Sequence, residues 1–193
     1  MKIGNMTTRA GTKDMRNQMK TKQNIILIGF MGSGKTSVGE RLARKMFYQF
    51  QDMDQLIEGS EGDTISHIFE NRGEEYFRNA ETNLIQKLVG TLEHTVLSTG
   101  GGAPLREENS KLLKELGFVV YLQASKDTTL RRLRGDGSRP LLQGSTMADK
   151  VDQLIRQRTP LYTRTAHKII VTDGRSFEEI IDLIMEEYIQ FTR

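Results

Sequence analysis

The segment Gly29-Phe30-Met31-Gly32-Ser33-Gly34-Lys35-Thr36 holds glycine, four residues, glycine, lysine and threonine in the order of a phosphate loop. Its glycines let successive backbone N–H groups curl around one phosphate chain, and a helix opening at Lys35 adds its positive end. Lys35 should reach the outer phosphates, and the hydroxyl of Thr36 suits Mg²⁺; Ser37 follows. A Mg-nucleoside triphosphate is the implied ligand. The loop alone leaves the acceptor open, because ATPases, GTPases and small-molecule kinases share it. A guanine-reading Asn-Lys-x-Asp sequence is absent, and the chain is short for a motor or helicase. Phosphorylation of a small molecule is the leading expectation.

Other residues suit that acceptor. Asp52 and Asp54 are two apart, on one side of a strand if the strand persists. Asp52 fits the metal shell and Asp54 the orientation of a nucleophilic hydroxyl, with helix capping as the alternative for both. Arg78 offers a bidentate anion clamp that Glu81, three residues on, would steer; a plain helical ion pair is the alternative. Gly100-Gly101-Gly102 after a strand implies a tight turn or a ligand approaching bare backbone. Arg132, Arg134 and Arg139 surround a polar stretch with glycines and Pro140, the pattern of a lid that closes over the transferred group and excludes water. Arg158, expected at a helix end, is a second carboxylate clamp or a charge complementing the helix dipole. His67, His94 and His167 lack zinc-site spacing and read as structural.

The elements that carry these residues alternate. Strands are predicted at 24–28, 47–51, 95–98, 118–122 and 167–171, with helices at 35–47, around 57–69, at 76–88, from Pro104 to a Gly117 cap, and at 126–133, 150–158 and 177–188. Apolar strands alternating with helices imply a parallel sheet covered on both faces. The 193 residues, with 36% hydrophobic, suit one domain, and the absence of cysteine removes disulfide, thiolate and Cys-ligated metal chemistry. No apolar stretch approaches the roughly 20 residues that cross a bilayer.

Charge is uneven. The net +3 arises from residues 1–23, where six Lys and Arg face a single Asp; the remainder carries −2, which argues against a nucleic-acid surface on the folded part. The basic leader is read as a disordered extension, with organellar import left open.

Together these motifs resemble shikimate kinase, in the nucleoside monophosphate kinase-like group of P-loop proteins, over residues 24–188. The marks are the phosphate loop, Asp52-Met53-Asp54, Phe77-Arg78, Gly100-Gly101-Gly102, Ser138-Arg139-Pro140-Leu141 and Arg158-Thr159-Pro160-Leu161-Tyr162. The resemblance implies an α/β three-layer P-loop NTPase fold with a five-stranded parallel sheet ordered 2-3-1-4-5, an acceptor subdomain about 53–82 and a lid about 134–146. It implies transfer of the ATP γ-phosphoryl group to the 3-hydroxyl of shikimate. Lys35, Asp54 and Arg139 would then be catalytic. Gly32 to Ser37, Arg132 and Arg139 would bind ATP, with Arg132 near the adenine. Asp54, Arg78, Gly100, Gly101, Gly102 and Arg158 would bind shikimate, Thr36 and Asp52 would hold Mg²⁺, and Phe69, Phe77, Pro140 and Leu141 would line the acceptor pocket. A cytoplasmic monomer without nucleic-acid or membrane partners is expected. A gluconate or nucleoside monophosphate kinase, or a non-catalytic nucleotide-dependent binding protein, is the competing reading.

Overall fold

The computed structural model describes residues 23–133 and 147–193. The leader, apart from its last residue, and the predicted lid with Arg134, Arg139, Pro140 and Leu141 lie outside the described residues.

Strand β1 (Ile25–Ile28) is buried on both faces because its β-branched and leucine side chains alternate between two cores. Ile26 and Ile28 meet Leu97, Val119 and Tyr121 on one side of the sheet; Ile25 and Leu27 meet Val96, Val120 and Leu122 on the other. The other strands are β2 (Gln49–Asp52), β3 (Thr95–Ser98), β4 (Phe118–Gln123) and β5 (Lys168–Val171), all pairing in parallel in the order β2-β3-β1-β4-β5. This is the architecture expected from the alternating pattern.

Helices α1 (Lys35–Met46) and α7 (Phe177–Thr192) cover one face through Val38, Leu42, Ile180, Ile181 and Ile184. The opposite core takes Ile85 from α3 (Ile65–Leu88), Leu113 and Leu116 from α4 (Glu107–Leu116), and Val151 and Tyr162 from α6 (Met147–Thr165). Short helices α2 (Met53–Glu61) and α5 (Lys126–Leu133) complete the set.

Sheet register assembles the working end. Asp52 pairs with Ser98, and Ser98 pairs with Leu27, so β2, β3 and β1 end side by side at their carboxyl termini. Thr99 strengthens the alignment by donating to the Leu27 carbonyl from both its amide and its hydroxyl, each at 3.1 Å. The loops after these strands therefore open into one crevice, at the point where chain connections diverge on either side of β1.

Several boundaries differ from expectation. Helix α1 stops at Met46, and Phe47 is left-handed (φ 57°) and exposed, so β2 begins two residues later than predicted. Pro104 lies in a 3₁₀ turn (Ala103–Leu105), and α4 starts only at Glu107. Gly117 is extended (φ 164°) rather than a left-handed cap; a Cβ there would lie 2.3 Å from the Asn24 carbonyl oxygen, so close packing accounts for the glycine. Helix α6 runs through Pro160 to Thr165, with burial of Tyr162 and Thr165 beyond it opposing the roughly 3 kcal/mol that an interior proline costs. Arg158 is therefore inside a helix and not at its end. The expected break before Tyr76 is a kink at Gly73 (φ 81°) within α3.

Asn24, which sequence reasoning treated only as the start of a strand, is a structural clamp. Its amide donates to the carbonyls of Leu92 (2.8 Å) and Leu116 (2.9 Å), and its Oδ1 accepts from the Thr95 amide (3.1 Å). Asn24→Ala would strand three buried backbone groups. A loss of about 2 to 4 kcal/mol is expected, read as a lower urea midpoint with an unchanged slope.

Candidate active site

At the mouth of β1 the chain turns through Gly32 (φ 74°) and Gly34 (φ 99°), conformations that side chains with a Cβ rarely adopt. Gly34 occupies the N-cap of α1 without any side-chain hydrogen bond, and no acidic residue lies in the first turn. The first-turn N–H groups and the positive helix end are thus directed at an anion. Lys35 is buried, its Nζ donating to the carbonyls of Gly29 (3.0 Å) and Phe30 (3.1 Å), which fixes the ammonium at the inner edge of the loop. The cavity here is about 220 Å³, polar, and lined by Gly32, Gly34, Lys35, Thr36, Ser37, Asp52 and Asp54 among others. Ser33 points away: its hydroxyl is buried with no hydrogen-bond partner, so its contribution to the cradle comes from the backbone. Arg132 reaches in from α5 and donates to the Gly32 carbonyl at 3.0 Å, which puts the guanidinium on the outer rim of the loop.

The two aspartates are not on one strand face. The strand ends at Asp52, and Asp54 sits in the first turn of α2. Asp52 caps the helix, its Oδ1 accepting from the Asp54 amide (3.0 Å), while its Oδ2 accepts from the Thr36 hydroxyl (3.2 Å). One carboxylate and one hydroxyl facing a phosphate cradle fit Mg²⁺, which keeps several waters and takes its remaining oxygens from substrate phosphates.

A second, more apolar cavity of about 90 Å³ adjoins the first. Arg78, Glu81, Phe69, Phe77, Gly102 and Arg158 are among its lining residues. Met31, Asp54 and Gly101 line both cavities, so Asp54 stands at their junction. Arg78 stands over the ring of Phe77 at 5.3 Å, while Arg158 of α6, also buried, stands over Phe30 at 5.6 Å. The two arginines predicted as clamps thus converge on one pocket.

Arg78 is held by Glu81 (2.6 Å) and Glu74 (3.0 Å). Burial alone would lower the guanidinium pKa; Glu81 and Glu74 outweigh it and push the net shift upward, so the charge is secure. Burial raises the Glu81 carboxyl above the usual range, partly opposed by Arg78 and reinforced by the negative charge of Asp54. Its Oε1 is buried without a hydrogen-bond partner.

The glycine triplet is demanded by these side chains as much as by any ligand. A Cβ at Gly102 would lie 1.9 Å from Nη1 of Arg78, and one at Gly100 would lie 2.7 Å from Glu81 Oε1 and 2.9 Å from Asp54 Oδ1. Sequence reasoning missed two supporting residues. Arg106 ties the segment after the triplet to α3 through Glu75 (2.7 Å) and Asn79 (2.7 Å), and Tyr162 donates to the Gly101 carbonyl (2.6 Å). The second was legible as a residue four after Arg158, on the same helix face, had α6 been extended past Pro160. None of the three histidines lines either cavity.

A phosphate loop after the central strand of a 2-3-1-4-5 parallel sheet, opening onto an arginine-lined acceptor cavity, defines a P-loop phosphotransferase of the nucleoside monophosphate kinase-like group. The family profile described as Shikimate kinase matches residues 31–189. A shikimate kinase of Thermodesulfovibrio yellowstonii is 43% identical over 166 residues, covering 86% of this chain and 95% of its own. One from Neisseria meningitidis serogroup C is 49% identical over 142 residues, covering 74% and 83%. The solved structure of shikimate kinase from Acinetobacter baumannii in complex with shikimate superimposes with a TM-score of 0.83 at 38% identity, over 89% of this chain and 96% of that one. The chain belongs to the shikimate kinase family.

Gly102→Ala should force Arg78 out of its position. A rise of at least about tenfold in the acceptor's half-saturating concentration is expected, equivalent to about 1.4 kcal/mol, with nucleotide affinity unchanged. Steady-state titration of each substrate checks this.

Proposed function

We propose that the protein transfers the γ-phosphoryl group of ATP to the 3-hydroxyl of shikimate, giving shikimate 3-phosphate and ADP, and that the described residues divide the work as their positions suggest. The observation that carries this reading is the junction: a phosphate cavity and an arginine-lined acceptor cavity share Asp54, Met31 and Gly101. An acceptor hydroxyl beside Asp54 is next to the place where the terminal phosphate of a nucleotide in the loop would lie.

Shikimate carries one carboxylate and several hydroxyls. Arg78 and Arg158 match the carboxylate, with Phe69 and Phe77 against the ring carbons, while Asp54 accepts from hydroxyl donors. This fixes which hydroxyl faces the phosphate, the positional part of catalysis. Asp54 aligns the attacking oxygen and takes its proton as the bond to phosphorus forms; a loose phosphoryl-transfer transition state needs little proton removal beforehand. Backbone N–H groups of the loop and the Lys35 ammonium hold the β- and γ-phosphate oxygens and stabilise the charge that spreads over the transferring group. Thr36 and Asp52 would hold Mg²⁺, which when bound neutralises phosphate charge. Arg132 guards the outer rim of the loop, on the side assigned to the nucleoside. Arg139 is assigned a phosphate contact by resemblance.

Three outcomes are expected. In an ADP-release assay with ATP and Mg²⁺, shikimate should be turned over and gluconate and AMP should not; turnover confined to gluconate or AMP would overturn the assignment. Lys35→Ala should lower kcat by about 100- to 1,000-fold, the scale of losing one preorganised transition-state donor. Arg158→Ala should instead act mainly on the KM for shikimate, because its partner is a carboxylate present in the ground state.

A further inference from the structure

We infer that Tyr162 is a positioning residue for acceptor binding: its buried hydroxyl joins the Gly101 backbone to the Arg158 guanidinium and so fixes the two walls of the carboxylate pocket relative to each other. This rests on the shikimate reading above.

The hydroxyl donates to the carbonyl oxygen of Gly101 at 2.6 Å, bridging α6 to the loop after β3. Tyr162 is 1% exposed, and its ring packs against Tyr121 with centroids 5.1 Å apart, so the core dictates where the hydroxyl points. Arg158 lies one helical turn earlier on the same face, and its guanidinium interacts with the phenolic oxygen. Burial pushes the phenol pKa up to about 12, with Arg158 opposing, so the group remains a donor throughout the physiological range.

The direction of the bonds follows. A phenol that gives its one proton to Gly101 has only lone pairs left, so a hydrogen bond with the neighbouring Arg158 can run only from the guanidinium to the phenolic oxygen. Gly101 lines both cavities, and Arg158 lines the acceptor cavity; Tyr162 itself lines neither. It acts through its neighbours.

Tyr162→Phe keeps the ring and removes the bridge. The KM for shikimate should rise roughly five- to tenfold, the scale of one hydrogen bond to a charged group, with kcat and the KM for ATP within about twofold of wild type. In an Arg158→Ala background the same change should raise the KM by less than about twofold, because the effect passes through the missing arginine. Should the phenylalanine variant fail to fold, 4-methylphenylalanine at position 162, which fills the space without a donor, should show the same raised KM. A wild-type KM for Tyr162→Phe or the 4-methyl variant, or an undiminished effect without Arg158, overturns the inference. A wild-type protein inactive on shikimate overturns the functional reading beneath it, and is distinguished by that control alone.

Discussion

A side chain at Gly102 fits only if Arg78 moves, and that close approach organises the acceptor site. The Arg78 guanidinium occupies the space a Cβ would need, while Glu81 and Asp54 crowd Gly100 in the same way. Because β2, β3 and β1 end in register, the bare backbone after β3 lies between the phosphate loop and α3. The arginine can therefore be brought down to the sheet edge, beside Asp54, without widening the crevice. The phosphate loop alone would bind nucleotide; the close approach at the triplet adds a neighbouring site for an acidic acceptor.

Holding charge in such a place is costly unless it is paired. Arg78 meets this with Glu81 and Glu74, and the ring of Phe77 lies against its guanidinium. Arg158 rests over Phe30, one helical turn before Tyr162 on α6. Such an arrangement is a poor source of stability, since desolvation consumes most of the Coulomb attraction. It would be a better source of selectivity, since an entering carboxylate would face two buried guanidinium groups lining one pocket. The stability of the domain comes from elsewhere, from the two apolar layers either side of β1 and from buried clamps such as Asn24.

What the sequence revealed divides along physical lines. The phosphate loop was legible because its chemistry is local: eight consecutive residues contain the turn, the ammonium and the hydroxyl, and the strand and helix that present them are adjacent. The alternation of apolar strands and amphipathic helices likewise revealed the layered parallel sheet. Asp54 was named from its type and neighbours but misplaced, because whether the strand persists past Asp52 depends on a cap formed by the Asp52 side chain itself. A helix end at Arg158 is expected because proline usually stops a helix, whereas the segment beyond Pro160 stays helical with Tyr162 and Thr165 buried. Asn24 was invisible as a clamp, since its partners lie 68 to 92 residues away. The glycine triplet was recognised as unusual, yet its crowding by Arg78, Glu81 and Asp54 could be seen only once α2 and α3 were folded over it.

The central claim is spatial: nucleotide and acceptor occupy adjoining cavities that meet at Asp54. A crystal structure with shikimate and a non-hydrolysable ATP analogue tests it most directly. The account predicts the carboxylate gripped by both Arg78 and Arg158, with the 3-hydroxyl within hydrogen-bonding distance of Asp54 and facing the γ-phosphate. A carboxylate bound away from those arginines, or a ring turned so that another hydroxyl faces the phosphate, would contradict it.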